Sequence, residues 1–306
     1  IAYVGSTIFS STRLLNNHFN AQSPQIHNYC RKVCEQYNSK EFLEIIEQFK
    51  NLNVLVLGDI IFDKYTSVSV QGLTSKTRIL SSRFLSEQTQ PGGALAVYRH
   101  IKEFTKNVKL ASILGTEKWL DIELSKYLHP NDNAIVYSSK FTSIIKQRFI
   151  EPQSHDNEIN KIFSVNYIDD GLTDEDVLVL LLDKISKLIV SADLVLVMDF
   201  GHGVMKKIVR DYVQENAKFL ALNCQTNSNN YGFNIINRQY RKVDSLSLDQ
   251  TEISLAVGKR SMNFANEMQQ LQDNMGAKYG WLTRGGAETI GTMKGENPVF
   301  CPSLET

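Results

Sequence analysis

Residues 53–65 read NVLVLGDIIFDKY. Val54 to Leu57 are apolar at every position, so the segment predicts a strand buried on both faces rather than a half-exposed one. Gly58 breaks the run, and two aspartates, Asp59 and Asp63, follow at a spacing of four. A strand covered on two sides needs a layer on each side of its sheet. This short stretch therefore predicts an α/β protein, provided that helices follow.

They do. GALAVYRHIKEF (93–104) has a helical pattern, VKLASILG (108–115) reads as a strand and WLDIELSKYL (119–128) as a helix. TDEDVLVLLLDKISKLI (173–189) is a helix in which Thr173 is the expected N-cap, with Asp174 and Glu175 in the first turn. ADLVLVMDFGHG (192–203) is a strand that breaks into a polar, glycine-rich loop. Helix 204–216, strands 219–223 and 243–249, helices 250–257 and 262–275, and strand 279–283 complete the alternation. It predicts a mostly parallel sheet between two helical layers. Segments 65–90 and 142–168 break this rhythm, alternating without helices between them. They predict a small antiparallel sheet beside the main layer, like a lid.

Residues 1–50 differ again. FSSTRLLNNHF (9–19) and SKEFLEIIEQFKNL (39–52) are helical patterns, and 21–52 is expected to be a helical linker before a domain spanning 53–306. The opening IAYVGSTIFSS lacks an initiator Met, a basic flank and an apolar signal core, and reads as a cut into a longer protein.

The 306 residues carry 33 basic and 33 acidic side chains and are 42% hydrophobic, which supports neither a nucleic-acid nor a membrane-surface partner. No apolar run reaches the roughly 18 residues of a membrane span. Four cysteines, Cys30, Cys34, Cys224 and Cys301, are too few and scattered for a disulfide framework, so a reducing cytoplasm is expected. Cys30 and Cys34 lie four apart on a helical pattern, but no further Cys/His pair nearby completes a metal site.

Polar residues gather where the predicted strands end: Asp59, Asp63, Asp199, Asn223, Asp249 and Thr283. Ligands bind at that edge of a parallel sheet. A short carboxylate such as Asp63 can accept two hydrogen bonds from a ligand, whereas Asp59 also suits a turn or cap. In QPGGALAV (90–97) the glycine pair leaves backbone N–H groups uncovered before a helix, which fits a close ligand or a plain turn. Lys146 and Arg148 flank Gln147 in a lid strand and so face one way, towards a phosphate or towards solvent. His202 fits a hydrogen-bonding loop residue better than an acid–base catalyst, and Glu252 equally suits the first turn of a helix.

The segments VLVLGDIIFDKY (54–65), PGGALAV (91–97), TSIIKQRFI (142–150), VLVMDFGHGVM (195–205), FLALNCQTN (219–227), SLDQTEISLA (247–256) and GWLTRGG (280–286) occur in an order that resembles the PfkB, or ribokinase-like, sugar kinases. Within them the chain is most similar to the kinase half of bifunctional heptose-phosphate kinase/nucleotidyltransferase proteins. The resemblance implies a ribokinase-like three-layer α/β/α fold with a β-sheet lid, ATP and Mg²⁺ as cofactors, and a sugar or sugar phosphate as substrate. It implies a sugar site at Asp59, Asp63, Gly92 and Gly93, with Lys146 and Arg148 towards a phosphate. It implies nucleotide contacts at Asp199, Gly201, Gly203, Asn223, Thr283 and Gly285. Mg²⁺ would be held by Asp199 and, through water, by Glu252. A homodimer through the lid is also implied.

The pattern departs in places. Ala96 stands where an Asn is usual, Asp249 replaces another Asn, His202 replaces a Lys, and GTEKW (115–119) is a degraded acidic-glycine motif. Gly-Ala-Gly-Asp, which in the family carries the catalytic Asp, does not occur; it is expected beyond Thr306, and the chain alone is expected to be inactive. IFSSTRLLN (8–16) resembles the last motif of a cytidylyltransferase-like domain through Ser10, Ser11 and Thr12, residues that also suit a helix N-cap. The alternative function is a non-catalytic sugar- or nucleotide-binding module.

Overall fold

The computed structural model describes residues 24–152, 159–169 and 173–303. Two helices, α1 (Pro24–Gln36) and α2 (Ser39–Phe49), precede β1 (Val54–Gly58). The chain then runs through β2 (Ile60–Leu73), β3 (Leu80–Gly92), α3 (Gly93–Lys102), β4 (Val108–Ala111), β5 (Ile113–Leu114), α4 (Leu120–Ser125) and β6 (Val136–Tyr137). Next come β7 (Ile144–Pro152), β8 (Ile159–Tyr167), α5 (Glu175–Ile189), β9 (Leu194–Asp199), α6 (Lys207–Asn216) and β10 (Leu220–Cys224). It ends with α7 (Ile236–Gln239), β11 (Ser245–Asp249), α8 (Gln250–Val257), α9 (Phe264–Asn274), β12 (Tyr279–Thr283), β13 (Glu288–Met293) and β14 (Val299–Pro302).

The central sheet has eight strands in the order β14–β13–β12–β11–β10–β9–β1–β4. From β4 to β12 neighbouring strands are parallel, while β13 and β14 close the edge antiparallel. The sheet grows from β1 in one direction to β4 and in the other to β9. That reversal is the switch point beyond which open α/β sheets bind ligands.

The unbroken apolar run of β1 now has its cause. Val54 and Val56 enter a core with Ala94, Leu95 and Tyr98 of α3 and Leu120 and Leu124 of α4. Leu55 and Leu57 enter the opposite core with Leu181 and Ile185 of α5, Val209 of α6 and Met268 of α9. All four side chains are at most 4% exposed. Each such burial is worth about 1.5–3 kcal/mol.

Several expectations need correction. The strand predicted over 108–115 divides at Ser112, whose hydroxyl donates to Gly58 O at 2.7 Å. Ile113 and Leu114 then pair with β6 in a separate small sheet. Asp174, not Thr173, is the N-cap of α5, and the Thr173 hydroxyl instead donates to Gly203 O at 3.0 Å. The helix expected from residue 204 begins at Lys207, because the backbone before it is bonded elsewhere. The lid is a four-stranded sheet, β3–β2–β7–β8, whose central pair β2–β7 is parallel. Both strands rise from the same rim: β2 starts directly after Asp59, and Ser143, just before β7, is tied to Gly115 at 2.9 Å.

The segment expected to link is helical, and Ile26 of α1 is buried. Cys30 and Cys34 are exposed, and among the described residues no group of three His, Cys, Asp or Glu could hold a metal. No helix of the described residues is long and apolar enough to cross a membrane. Ser10, Ser11 and Thr12 lie outside the described residues.

Gly58 has φ +146°, and a Cβ there would overlap the Met198 carbonyl. Gly58→Ala is expected to lower stability by about 2–4 kcal/mol, because neither backbone can retreat from a sheet centre. A urea melt measures this; an unchanged midpoint would show that the strands tolerate separation.

Candidate functional site

Asp59 leaves β1 at the switch point and is fully buried. Its Oδ2 accepts from Phe200 N at 2.9 Å and His202 N at 3.2 Å, and its Oδ1 accepts from Val204 N at 3.2 Å. Its own N–H donates to Met198 O at 3.1 Å, and its carbonyl accepts from Ala94 N at 2.9 Å. One residue thus joins β1, the loop after β9 and the start of α3. Burial pushes its carboxyl up to about 7, with the nearby Asp199 charge adding and the three N–H donors opposing.

The glycine pair sits against this residue. Gly92 ends β3, and a Cβ on it would overlap the Asp63 carboxylate. Gly93 opens α3 with φ +57°, and a Cβ there would overlap the Asp59 carbonyl. The close approach that two glycines permit is first of all that of the chain's own aspartates.

Strand register places Gln90, Asp63, Lys146 and Asn166 in one row across the four lid strands. Alternation puts Tyr65, Arg148 and Ser164 in the next row of the same face. Arg148 pairs with Asp63 Oδ1 and lies 5.4 Å from the centre of the Tyr65 ring. Lys146 Nζ lies 5.9 Å from the centre of the Phe200 ring, and Asn166 Nδ2 donates to Asn229 Oδ1 at 3.3 Å. This face therefore looks onto loops 200–204 and 225–234. Burial pushes the Lys146 ammonium down, and Asp63 opposes the shift. Burial and the Lys146 charge hold the His202 imidazole down at about 4. His202 is 3% exposed, and its Nε2 has no hydrogen-bond partner.

Asp199, the residue expected at Mg²⁺, is 1% exposed, and its oxygens are engaged by its own chain. Oδ1 accepts from Gly201 N at 2.8 Å and Asn234 Nδ2 at 3.2 Å, and Oδ2 accepts from Tyr240 OH at 2.7 Å. Burial is the main reason that its carboxyl is raised. It braces the loop. Asn227 and Asn230 donate to Phe200 O at 2.9 and 2.7 Å, and a Cβ on Gly201 would meet Asn230. Sequence reasoning passed over this asparagine cluster in QTNSNNYGFN (225–234); its signal was the density of short amides, which bond loops to loops. Gln90, Asn166 and Glu117, which accepts from Ser143 N and Oγ at 3.0 and 2.8 Å, were missed too, since only register and contact reveal them.

Further along the rim, Asn223 Nδ2 donates to Ser247 O at 3.0 Å. Asp249 and Glu252 form a reciprocal capping box at the start of α8. Glu252 is 6% exposed, and burial pushes its carboxyl up to about 7. Thr283 neighbours Asp249 in register, and Gly285, with φ +56°, turns the chain into β13. Three interstrand steps separate β9 from β12, about 14 Å at the usual spacing. The residues expected at a sugar are brought together around Asp59 and Asp63, whereas Thr283 and Gly285 lie at the far end of the same rim.

No family model matches the chain. Among curated proteins it is 23% identical over 241 residues to "Bifunctional protein HldE" of Campylobacter curvus, covering 76% of this chain and 48% of that protein. The protein of the same name from Campylobacter jejuni is 23% identical over 246 residues, covering 79% and 49%. The chain thus spans about half the length of these curated relatives. Among solved structures, the tetrameric inhibited form of phosphofructokinase-2 from Escherichia coli superposes with TM-score 0.59 at 14% identity, covering 81% of this chain and 79% of that one. Ribokinase from Arabidopsis thaliana, complexed with ribose and ATP, gives TM-score 0.55 at 17% identity, covering 82% and 78%. The chain has the ribokinase-like fold.

Two outcomes follow from the buried carboxylates. Asp59→Asn sets an amide NH₂ against one of three N–H donors and is expected to cost about 1–3 kcal/mol in a denaturant melt; no loss would mean that loop 200–204 is held by other bonds. Glu252 has its folded pKa raised above its ordinary 4.5, so its stabilising contribution is full below about pH 4.5 and is lost as pH rises through about 7. Relative to Glu252→Gln, which keeps a capping acceptor, the wild type should lose stability between those two values; parallel pH profiles would contradict the shift.

Proposed function

We propose that the protein to which this chain belongs transfers the γ-phosphoryl group of ATP, with Mg²⁺, to a hydroxyl of a sugar or sugar phosphate, a heptose phosphate being the preferred substrate. The observation that carries this reading is the lid face. An Asp63–Arg148 pair and the partly buried Lys146 lie over the loops at the switch point of a ribokinase-like sheet. Asp63 accepts from sugar hydroxyls beside Gly92 and Gly93, and Lys146 and Arg148 face the substrate's phosphate. The nucleotide extends along the rim towards Asn223, Thr283 and Gly285, past Gly201 and Gly203. Mg²⁺ keeps much of its water, so Glu252 fits an outer contact through water, and Asp199 serves by holding the loop. When bound, the ion neutralises charge on the transferring phosphoryl group.

The general base and the anion hole are assigned to a Gly-Ala-Gly-Asp segment, which these 306 residues do not contain. The curated relatives are named bifunctional, and a bifunctional parent would carry, besides the kinase, the nucleotidyltransferase domain that residues 8–16 resemble. A cytoplasmic location suits the use of ATP. A homodimer would cover Leu80, Phe84, Leu85 and Phe163, which the lid leaves exposed. A second reading, a binding module without chemistry, is favoured by Ala96, which stands where the family has an Asn.

Calorimetric titration with sugar phosphates and their unphosphorylated parents, with and without a non-hydrolysable ATP analogue, tests both readings. A sugar phosphate is expected to bind, and Asp63→Asn to weaken it roughly tenfold or more while the ATP analogue still binds. The chain alone is expected not to turn over ATP and sugar at an ordinary kinase rate of about 1–100 s⁻¹. Turnover at that rate would place the base within this chain, and a failure to bind any sugar would sink the kinase reading.

A further inference from the structure

We propose that helix α2 is a self-pairing surface: its apolar stripe packs antiparallel on the same stripe of a second copy of this chain. The proposal goes beyond the kinase reading and does not rest on it, and it uses none of the exposed lid residues.

Among the described residues α2 buries none of its own side chains. Yet SKEFLEIIEQF (39–49) sets Phe42, Ile45, Ile46 and Phe49 at i, i+3, i+4 and i+7, which is one stripe of a helix. All four are between 37% and 45% exposed. An aromatic residue prolongs the stripe at each end. Tyr37 meets Phe42 edge-on with ring centres 5.6 Å apart, and Phe104 meets Phe49 edge-on at 6.0 Å. Monomeric proteins seldom leave so continuous an apolar surface in water. The helix is also held ready for a partner. Asn38 and Glu41 close a capping box at its start, and beyond its end the Thr105 hydroxyl donates to Leu52 O at 2.9 Å. Pairing therefore has little backbone left to order.

The stripe itself says what covers it. Its residue types, Phe–Ile–Ile–Phe, read the same in both directions. A two-fold axis that reverses the helix sets Phe42 against Phe49 of the partner subunit, and Ile45 against Ile46 of the partner subunit. Such self-complementarity is what an interface between identical chains requires. Reversal also opposes the two helix dipoles, which a parallel pair would align. The charges do not obstruct it. Glu44 and Glu47 lie about 150° around the helix from the centre of the stripe. There Lys40 approaches Glu44 at 3.8 Å and Lys50 pairs with Glu47 at 2.6 Å, so the polar side is neutralised within its own helix. The size is sufficient as well. Tyr37, Phe42, Ile45, Ile46, Phe49 and Phe104 together expose roughly 500 Å² per copy, given the areas of such side chains. A pair would thus bury about 1,000 Å², the lower bound for a specific interface.

Sedimentation equilibrium of the full chain is expected to show a reversible dimer at micromolar concentrations. Ile46→Glu sets two carboxylates near each other at the centre of the pair and should raise the dissociation constant about a hundredfold or more. Because Ile46 is exposed, its circular dichroism should match that of wild type. Phe84→Glu, on the lid, should leave this association unchanged. The orientation is read by disulfide cross-linking in a Cys30→Ser, Cys34→Ser background, which removes the exposed native thiols. Phe42→Cys and Phe49→Cys chains, mixed and mildly oxidised, should cross-link with each other and not with themselves. A monomer at every concentration, which would mean that another partner covers the stripe, would overturn the proposal. So would a dimer that Ile46→Glu leaves intact and Phe84→Glu dissolves, since the lid would then be the interface. Cross-links of either cysteine variant with itself would overturn the antiparallel arrangement.

Discussion

A single buried carboxylate organises this molecule. Asp59 emerges where β1 meets β9, and its two oxygens take three backbone N–H groups from the loop that follows β9. Those donors would otherwise be unpaired in a dry place, where each would cost about 1–3 kcal/mol. The same residue's main chain fixes Met198 on one side and Ala94 on the other. The loop after β9 and the start of α3, which belong to opposite layers, are therefore positioned by one point in the sheet.

The lid depends on that point at one remove. Gly92 and Gly93 are small because Asp63 and the Asp59 carbonyl occupy the space their side chains would need. Shortening the distance between lid and sheet brings the row Gln90–Asp63–Lys146–Asn166 down onto loops 200–204 and 225–234. Asp199 contributes from below, with Tyr240 and Asn234 closing its carboxylate against the sheet. Two aspartates that look alike in sequence, each ending an apolar strand, thus brace one loop from two directions. Asp63 is a different case: it lies on the lid face, paired with Arg148.

The similarity to phosphofructokinase-2 and ribokinase lies in the arrangement of strands, at 14% and 17% identity. Little of it is carried by particular side chains. What the chain shares with them at such low identity is the fold. Around that frame the chain has its own polar network, rich in asparagine, and a histidine in the glycine loop.

The sequence alone determined the layers. Unbroken apolar runs such as VLVL, alternating with helical periodicity, leave a parallel sheet covered on both faces as the arrangement that hides them, and the solved structures of this fold agree. It also located the lid segments and the polar strand ends, since both follow from local pattern. It could not decide that Asp59 and Asp199 are sealed inside while Asp63 keeps a cationic partner on the lid face, because what distant segments bring to each carboxylate is not written beside it. Nor could it see that β2 and β7 run parallel, or that Asp63 and Arg148, 85 positions apart by number, meet on one lid face. Strand order and register made those decisions, because hydrogen-bond partners and burial are properties of neighbours in space.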